Sequence, residues 1–222
     1  MAKLTFLGHA TLLVASHGHH VLVDPFITGN PQYPQGFSLP KVDAILLTHY
    51  HSDHLGDTKD LAKQHDALVV TTAEIAGQLE QEGVKVRPMH IGGRASFPFG
   101  EVKLVPAVHG SGIAGGLPCG FVLTVEGKKL YFAGDTALFS DMRLIGERYG
   151  PIEVAALPIG SNFTMDVQDA IWAATLIRPR TVLPIHYNTW PLITADPNEM
   201  TEPLRREGIG VAILKPGESL DL

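Results

Sequence analysis

Four apolar runs in this chain each stop on a side chain that can bind a metal ion: Ala44-Ile-Leu-Leu-Thr-His49, Leu104-Val-Pro-Ala-Val-His109, Leu130-Tyr-Phe-Ala-Gly-Asp135 and Thr181-Val-Leu-Pro-Ile-His186. Short runs rich in β-branched and aliphatic residues read as buried strands. A side chain at the carboxyl end of such a strand is held by the rigid core, while the loop that follows is left to shape a pocket. The pattern therefore predicts a β-rich fold in which four strand ends converge on one site.

Further short runs read as strands over Leu4 to Leu7, Thr11 to Ala15, Val21 to Asp24, Val84 to His90, Gly120 to Val125 and Lys129 to Ala133. Glu126-Gly127 suits a tight hairpin turn between the last two. Helical signals begin after His54, run from a Thr72 cap to Gly83, and recur over Ser140 to Tyr149 and Thr201 to Glu207. Another runs from Asp166 to Ile177, with Asp166 able to cap and Pro179 unable to continue the helix. Strands come as meanders first and alternate with helices later, which suits two packed sheets with helices on their outer faces. With 222 residues, 45% of them hydrophobic, the expectation is one domain spanning 1–222.

The densest chemistry lies in His49-Tyr50-His51-Ser52-Asp53-His54, where extended backbone would project residues 49, 51 and 53 to one side. Imidazole and carboxylate donors suit zinc, iron, manganese or nickel. The single cysteine, Cys119, rules out a thiolate-rich structural site and any internal disulfide, and its flanks suggest a buried strand position. Singly, each histidine is an ordinary surface or core residue, and Asp53 an ordinary helix cap. Seven ligands drawn from separate strand ends are not.

The same residues resemble a known pattern. His49-x-His51-x-Asp53-His54 followed by His109, Asp135 and His186 is similar to the ligand set of the metallo-β-lactamase superfamily, over almost the whole chain. Leu7-Gly-His9-Ala-Thr, Pro158-Ile-Gly-Ser-Asn-Phe-Thr-Met165 and His186-Tyr-Asn-Thr-Trp-Pro191 resemble a branch of metal-dependent hydrolases similar to L-ascorbate-6-phosphate lactonases. The resemblance implies an α/β fold, the αββα four-layer sandwich of two mixed sheets. It implies His49, His51 and His109 at one metal, Asp53, His54 and His186 at the other, and Asp135 bridging. It also implies Asp24 as the partner that orients a ligand histidine, and His9 as a pocket residue. Asn162, Thr164, Tyr187, Asn188 and Trp190 follow strand ends on the expected active face and are candidates for substrate contact. His17, His19, His20, His65 and His90 are read as solvated or structural, and His109-Gly-Ser-Gly-Ile-Ala-Gly-Gly-Leu as a mobile loop at the pocket mouth.

Two divalent ions, Zn2+ by default and otherwise Mn2+, Fe2+ or Ni2+, would lower the pKa of a bridging water so that metal-bound hydroxide attacks an ester, lactone or phosphodiester. Asp53, His54 and Asp135 would carry the catalysis, with Asp53 orienting the water. An RNA-processing nuclease would show much the same ligands. However, 17 basic against 23 acidic residues, a formal charge of −6, disfavours nucleic acid. A di-iron oxidoreductase is expected to carry glutamate where His51 stands. A non-catalytic metal-binding or sensor protein is the alternative from another class. A small-molecule substrate is expected, with no membrane partner. The lone thiol and the absence of an apolar leader point to the cytoplasm, and a homo-oligomer is compatible with all of this.

Overall fold

A computed structural model describes all 222 residues, Met1 to Leu222. The first half contains β1 (Lys3–Phe6), β2 (Leu12–Ser16), β3 (His19–Val23), β4 (Ala44–Leu46), α1 (Ser52–Leu55), α2 (Thr58–His65), β5 (Leu68–Thr72), α3 (Ala73–Gln81) and β6 (Val86–Met89). The second contains β7 (Arg94–Phe97), β8 (Gly100–Pro106), β9 (Cys119–Val125), β10 (Lys128–Phe132), α4 (Met142–Leu144) leading into a π-helical turn at Ile145–Tyr149, and β11 (Val154–Pro158). It ends with α5 (Val167–Ile177), β12 (Thr181–Ile185), α6 (Thr201–Arg206), β13 (Gly210–Val211) and β14 (Ser219–Asp221).

Two seven-stranded sheets form, in the orders β14-β1-β2-β3-β4-β5-β6 and β13-β12-β11-β10-β9-β8-β7. Each is mixed, antiparallel over three pairings and parallel over the other three. The pairings put β1, β3 and β4 in one direction in the first sheet, and β8, β10 and β12 in one direction in the second. The seven candidate ligands, with His9 and Asp24, follow these six strands, while Asn162 and Thr164 follow β11, which runs parallel to β10 and β12.

The period-2 alternation of a strand decides which side chain faces which layer. Leu12 and Val14 of β2, Val21 and Val23 of β3, Phe121 and Leu123 of β9 and Leu130 and Phe132 of β10 meet between the sheets in a cluster of 25 buried residues. Their neighbours Leu13, Leu22 and Ile45 point the other way and pack with Ala62 of α2 and Ile75 and Leu79 of α3. Val122, Tyr131 and Ala155 pack against Met142, Ala170, Ala173, Ala174 and Leu204 of the other helical layer. Strands covered on both faces are apolar throughout, and each fully buried aliphatic or aromatic side chain stabilises the sandwich by roughly 1.5–3 kcal/mol. The layers are therefore helix, sheet, sheet, helix, as the resemblance implies.

Local expectations meet mixed outcomes. The Glu126-Gly127 hairpin joins β9 to β10 with both turn residues at positive φ. Asp166 caps α5 by accepting the Asp169 N–H at 2.9 Å. Thr72 stands at the start of α3, but its hydroxyl does not cap; it donates to the Leu117 carbonyl at 2.9 Å and ties that loop down. The helix expected over Ser140 to Tyr149 tightens only at Met142–Leu144 and then widens to the π-helical turn, where Gly146 lies so close to the Ile177 carbonyl that no Cβ fits. Five strands lie outside the runs read from the sequence: β5, β7, β11, β13 and β14. Cys119 opens β9, fully buried, and no helix is long and apolar enough to cross a membrane.

Candidate metal centre

Each candidate ligand sits just past a strand rather than on it. His49 lies three residues beyond β4, His109 three beyond β8, Asp135 three beyond β10 and His186 one beyond β12. β8, β10 and β12 run one way in the second sheet and β4 brings His49 from the first, and the loops rather than the ladders carry the ligands. Gly134, at φ 61°, makes the last turn before Asp135; a Cβ there would lie 2.8 Å from Thr48 Cβ.

The side chains fall into sets whose nitrogen and oxygen atoms lie within 4.8 Å of one another: His49, His51 and His109; His49, His54 and Asp135; and His9, Asp53, His54 and His186. The alternation expected over residues 49, 51 and 53 breaks at Ser52, where α1 begins. A helical step of about 100° turns Asp53 away from His49 and His51 and toward His54 and His186. Asp135 lies among all of them, with Oδ1 3.2 Å from His54 Nε2, and Oδ2 3.2 Å from His186 Nε2 and 3.5 Å from His109 Nε2.

Whether these atoms suit a metal is tested by their hydrogen bonds. His49 Nε2, His54 Nε2, both ring nitrogens of His186 and Asp135 Oδ1 are buried with no hydrogen-bond partner. The 3.2 Å approaches of Asp135 lack hydrogen-bond alignment. Five orphaned polar atoms in one buried cluster cost free energy as they stand, and a shared cation is what such a donor set fits.

The ring orientations are imposed from behind. Asp24, buried just past β3 at φ 42°, accepts the Thr48 N–H at 2.8 Å on Oδ1, and on Oδ2 both the Thr48 hydroxyl at 2.6 Å and His54 Nδ1–H at 2.7 Å. Because the single Thr48 hydroxyl proton goes to Asp24, Thr48 Oγ1 accepts from His49 Nδ1, 3.0 Å away. One carboxylate thus fixes the Nδ1 side of two imidazoles, directly for His54 and through Thr48 for His49, and turns Nε2 of each toward the cluster. Thr48 was not singled out from the sequence, although it directly precedes His49.

His9, fully buried past β1, lies with Nε2 3.1 Å from Asp53 Oδ2 and Nδ1 2.7 Å from Thr189 Oγ1. A carboxylate only accepts, so His9 donates through Nε2 and takes the Thr189 proton at Nδ1. The His186 N–H donates to the His9 carbonyl at 2.7 Å, stitching the two sheets together beside the centre.

Electrostatics divides the cluster. Burial lowers His49 to about 2 and His9 to about 4, and it lowers His109 as well, with neighbouring histidines adding to the effect. Burial also opposes charging of His186 and His54. Asp135, with Asp53 on His186 and Asp24 on His54, outweighs it, raising His186 to about 9 and His54 well above its usual range. Burial would raise Asp53 and Asp135, but the imidazoles around them hold both well below the usual carboxylate range.

The surrounding loops differ from expectation. Asn188 does not face the centre: its side chain exchanges two 3.0 Å hydrogen bonds with the backbone of Ala195 and pins the loop after β12. Tyr187 packs into the outer helical core, and its carbonyl accepts from Gln32. Thr164 bonds the Met165 carbonyl, and Asn162 is exposed at φ 53°. Their neighbour Phe163 instead lines the cavity at the centre, about 270 Å³, with His51, Ser52, Asp53, His109, Asp135 and His186. The glycine-rich loop is anchored: the Tyr50 N–H donates to the Ser111 carbonyl at 2.7 Å, and a Cβ on Gly112 would lie 2.6 Å from the His51 nitrogen. Gly112 is the glycine that this close approach requires. His65 accepts the Val42 N–H at 3.0 Å, and His17, His19, His20 and His90 join no ligand set.

Two mixed sheets between helical layers, with histidines and aspartates gathered past parallel strand ends, define a metallo-β-lactamase fold. A family model described as Beta-lactamase superfamily domain matches residues 19–187. The chain is 48% identical over 221 residues, 99% of each chain, to a UPF0173 metal-dependent hydrolase of Natranaerobius thermophilus. It is 49% identical over 228 residues to a relative of the same name from a Geobacillus species, covering 99% of this chain and 100% of that one. Igni18, a metallo hydrolase from the archaeon Ignicoccus hospitalis, superposes with a TM-score of 0.91 at 38% identity, over 99% of this chain and 97% of that one. The chain belongs to the metallo-β-lactamase superfamily and, within it, to the UPF0173 family of metal-dependent hydrolases.

Proposed function

We propose that the chain is a dinuclear hydrolase of small metabolites that cleaves an ester, lactone or phosphodiester bond. The orphaned Nε2 atoms of His49, His54 and His186 beside Asp135 Oδ1 carry this reading. In it, His49, His51 and His109 hold one divalent ion, Asp53, His54 and His186 hold the other, and Asp135 lies between them. Zinc suits these donors best, with manganese, iron and nickel as alternatives. When bound, the ions lower the pKa of a water ligand toward about 7 and polarise the bond under attack.

The protein's own part is orientation. Asp24 and Thr48 hold the Nδ1–H of His54 and His49, so that Nε2 of each is aimed into the cluster. His9 holds Asp53 by one oxygen, and Asp53, which lines the cavity, aligns the attacking water. Three carboxylates, the buried Asp24 and Asp135 and the partly exposed Asp53, would balance most of the four positive charges of two divalent ions. One positive charge remains for the nucleophile or for the charge that develops on the substrate. Cleavage of an ester or lactone moves the water oxygen to the acyl carbon, breaks the acyl C–O bond and returns a proton to the departing oxygen.

Stepwise metal titration of chelated protein tests this. Turnover of simple esters, lactones or phosphodiesters is expected to return only as the second equivalent binds. Full activity at one equivalent would overturn the dinuclear reading.

A further inference from the structure

A second cavity of about 600 Å³ opens beside the centre, lined by Phe26, Thr28, Ser52, Asp53, Gly56, Asp57 and Trp190. It shares Ser52 and Asp53 with the cavity over the candidate ligands. We infer that this second cavity is the substrate-binding subsite, and that it takes an uncharged ester or lactone bearing a flat apolar group seated against Phe26 and Trp190. The inference rests on the hydrolytic reading above.

One wall of it is aromatic and built in advance. The Phe26 and Trp190 rings lie 6.0 Å apart, tilted by 37°, too close for a ring to slip between them, so they form one continuous face. The buried His9 ring packs edge-on against both, at 5.6 Å from Phe26 and 5.0 Å from Trp190. Trp190 remains 37% exposed and Phe163, on the cavity over the ligands, 54% exposed. Large aromatic faces left open beside a catalytic centre offer burial to a ligand and none to the fold itself.

Both sides are clamped. Asp57 accepts the N–H groups of Ile27 and Thr28 at 2.9 and 2.8 Å and the Thr28 hydroxyl at 2.6 Å, holding the segment that carries Phe26. Gly56, at φ 39°, lies so close that a Cβ would approach Phe26 Cα to 2.7 Å. On the other side, Thr189 is bonded to His9, and Asn188 closes the loop onto Ala195, so the segment that carries Trp190 is tied down. Rigid walls of this kind reduce the ordering cost of binding.

Charge then selects among bond types. Neither cavity contains a lysine or arginine, and Asp53 and Asp57 both face the larger one. The ions would attract a carbonyl or a phosphoryl oxygen alike, so the difference lies in the second cavity. Away from the ions phosphate recognition relies on Arg, Lys or clustered backbone N–H donors, and there an anionic group would meet Asp57 with no lysine or arginine to offset it. A neutral acyl or aryl group meets none of that repulsion. Within the proposed function the site therefore favours esters and lactones over phosphodiesters.

The zinc-loaded protein, assayed with dihydrocoumarin, δ-valerolactone and bis(4-nitrophenyl) phosphate, separates these cases. Dihydrocoumarin, the planar aryl lactone, is expected to exceed δ-valerolactone in kcat/KM by roughly 10- to 100-fold, with the phosphodiester slowest. In Trp190→Ala the ratio between the two lactones is expected to collapse toward unity. A preference that survives this substitution, or faster cleavage of the phosphodiester, would overturn the subsite. Binding is read separately through Trp190 fluorescence in a Trp172→Phe background, Trp172 being exposed on α5. The neutral lactam analogue of dihydrocoumarin should quench it in the mid-micromolar to millimolar range, and 4-nitrophenyl phosphate should not. Absence of turnover with all three substrates sinks the hydrolytic reading alone, because the lactam titration still decides whether Trp190 receives a flat neutral group.

Discussion

The two halves of the candidate centre solve different electrostatic problems. His49, His51 and His109 form an all-imidazole set in which burial and neighbouring histidines keep His49 and His109 below their ordinary pKa. His49 and His109 are thereby kept uncharged. Asp53, His54, His186 and Asp135 form a carboxylate-rich set, where the raised His54 and His186 supply positive charge that a metal ion would otherwise bring. On binding metal His49 and His109 would give up only water, whereas His54 and His186 would give up protons. Asp24 and Thr48 are the link, since one carboxylate orients a ring in each half.

Removing the shared member tests the comparison most severely. Asp135→Ala is expected to cut turnover by roughly 1,000-fold or more and to lower bound metal below two equivalents, measured by steady-state rates and elemental analysis. Full activity with two metals bound would mean that the halves do not depend on a common carboxylate. Next in size, Asp24→Asn should weaken metal binding about 10- to 100-fold, the range seen when a ligand's orienting partner is lost; chelator competition reads it. Thr48→Val removes only the His49 link, leaving His54 on Asp24, and should cost about 10-fold for one of the two ions. Equal weakening of both ions in Thr48→Val would show that the two halves do not separate as described.

The smallest effect concerns pH. For His186, raised from 6.5 to about 9, the metal-free fold holds its stabilisation fully below about 6.5 and loses it as pH climbs to about 9. His49 and His9, lowered to about 2 and about 4, act oppositely, costing stability as pH falls below about 6.5. The depressed Asp53 and Asp135 add to that acid-side loss below their unfolded values near 4. Chelated protein should therefore melt highest near pH 6.5, falling on the order of 5 °C by pH 9. Saturating zinc should remove the alkaline limb by taking the protons' place, and differential scanning fluorimetry across pH distinguishes the two profiles. A flat profile without metal would erase the electrostatic contrast between the halves.

The order of legibility follows from how far each signal reaches along the chain. Strand runs such as Val21 to Asp24 or Gly120 to Val125 are local, because a buried strand needs apolar residues on successive positions. β11, Val-Ala-Ala-Leu-Pro, carries no β-branched majority and is a strand only because β10 and β12 pair on either side of it. β7 is a short, partly exposed edge whose pattern is too weak to stand alone. Likewise the extended reading of residues 49 to 53 ran one step too far. Nothing local announces that α1 begins at Ser52, and that step moves Asp53 from one ligand set to the other.

From its sequence alone the chain declares its donor chemistry: seven nitrogen and oxygen ligands past apolar runs, no thiolate partner, and enough alternating strand for two sheets. Those are properties of residue type and period, which a linear text carries. Tertiary structure decided that Thr48 joins Asp24 in orienting two rings, that Asn188 pins a loop instead of facing the centre, and that Phe163 rather than Asn162 lines it. It also decided that Phe26 and Trp190, 164 positions apart, share one wall. Hydrogen bonds and ring contacts between residues that distant exist only once parallel strand ends have been brought to a common edge, and no spacing along the chain encodes them.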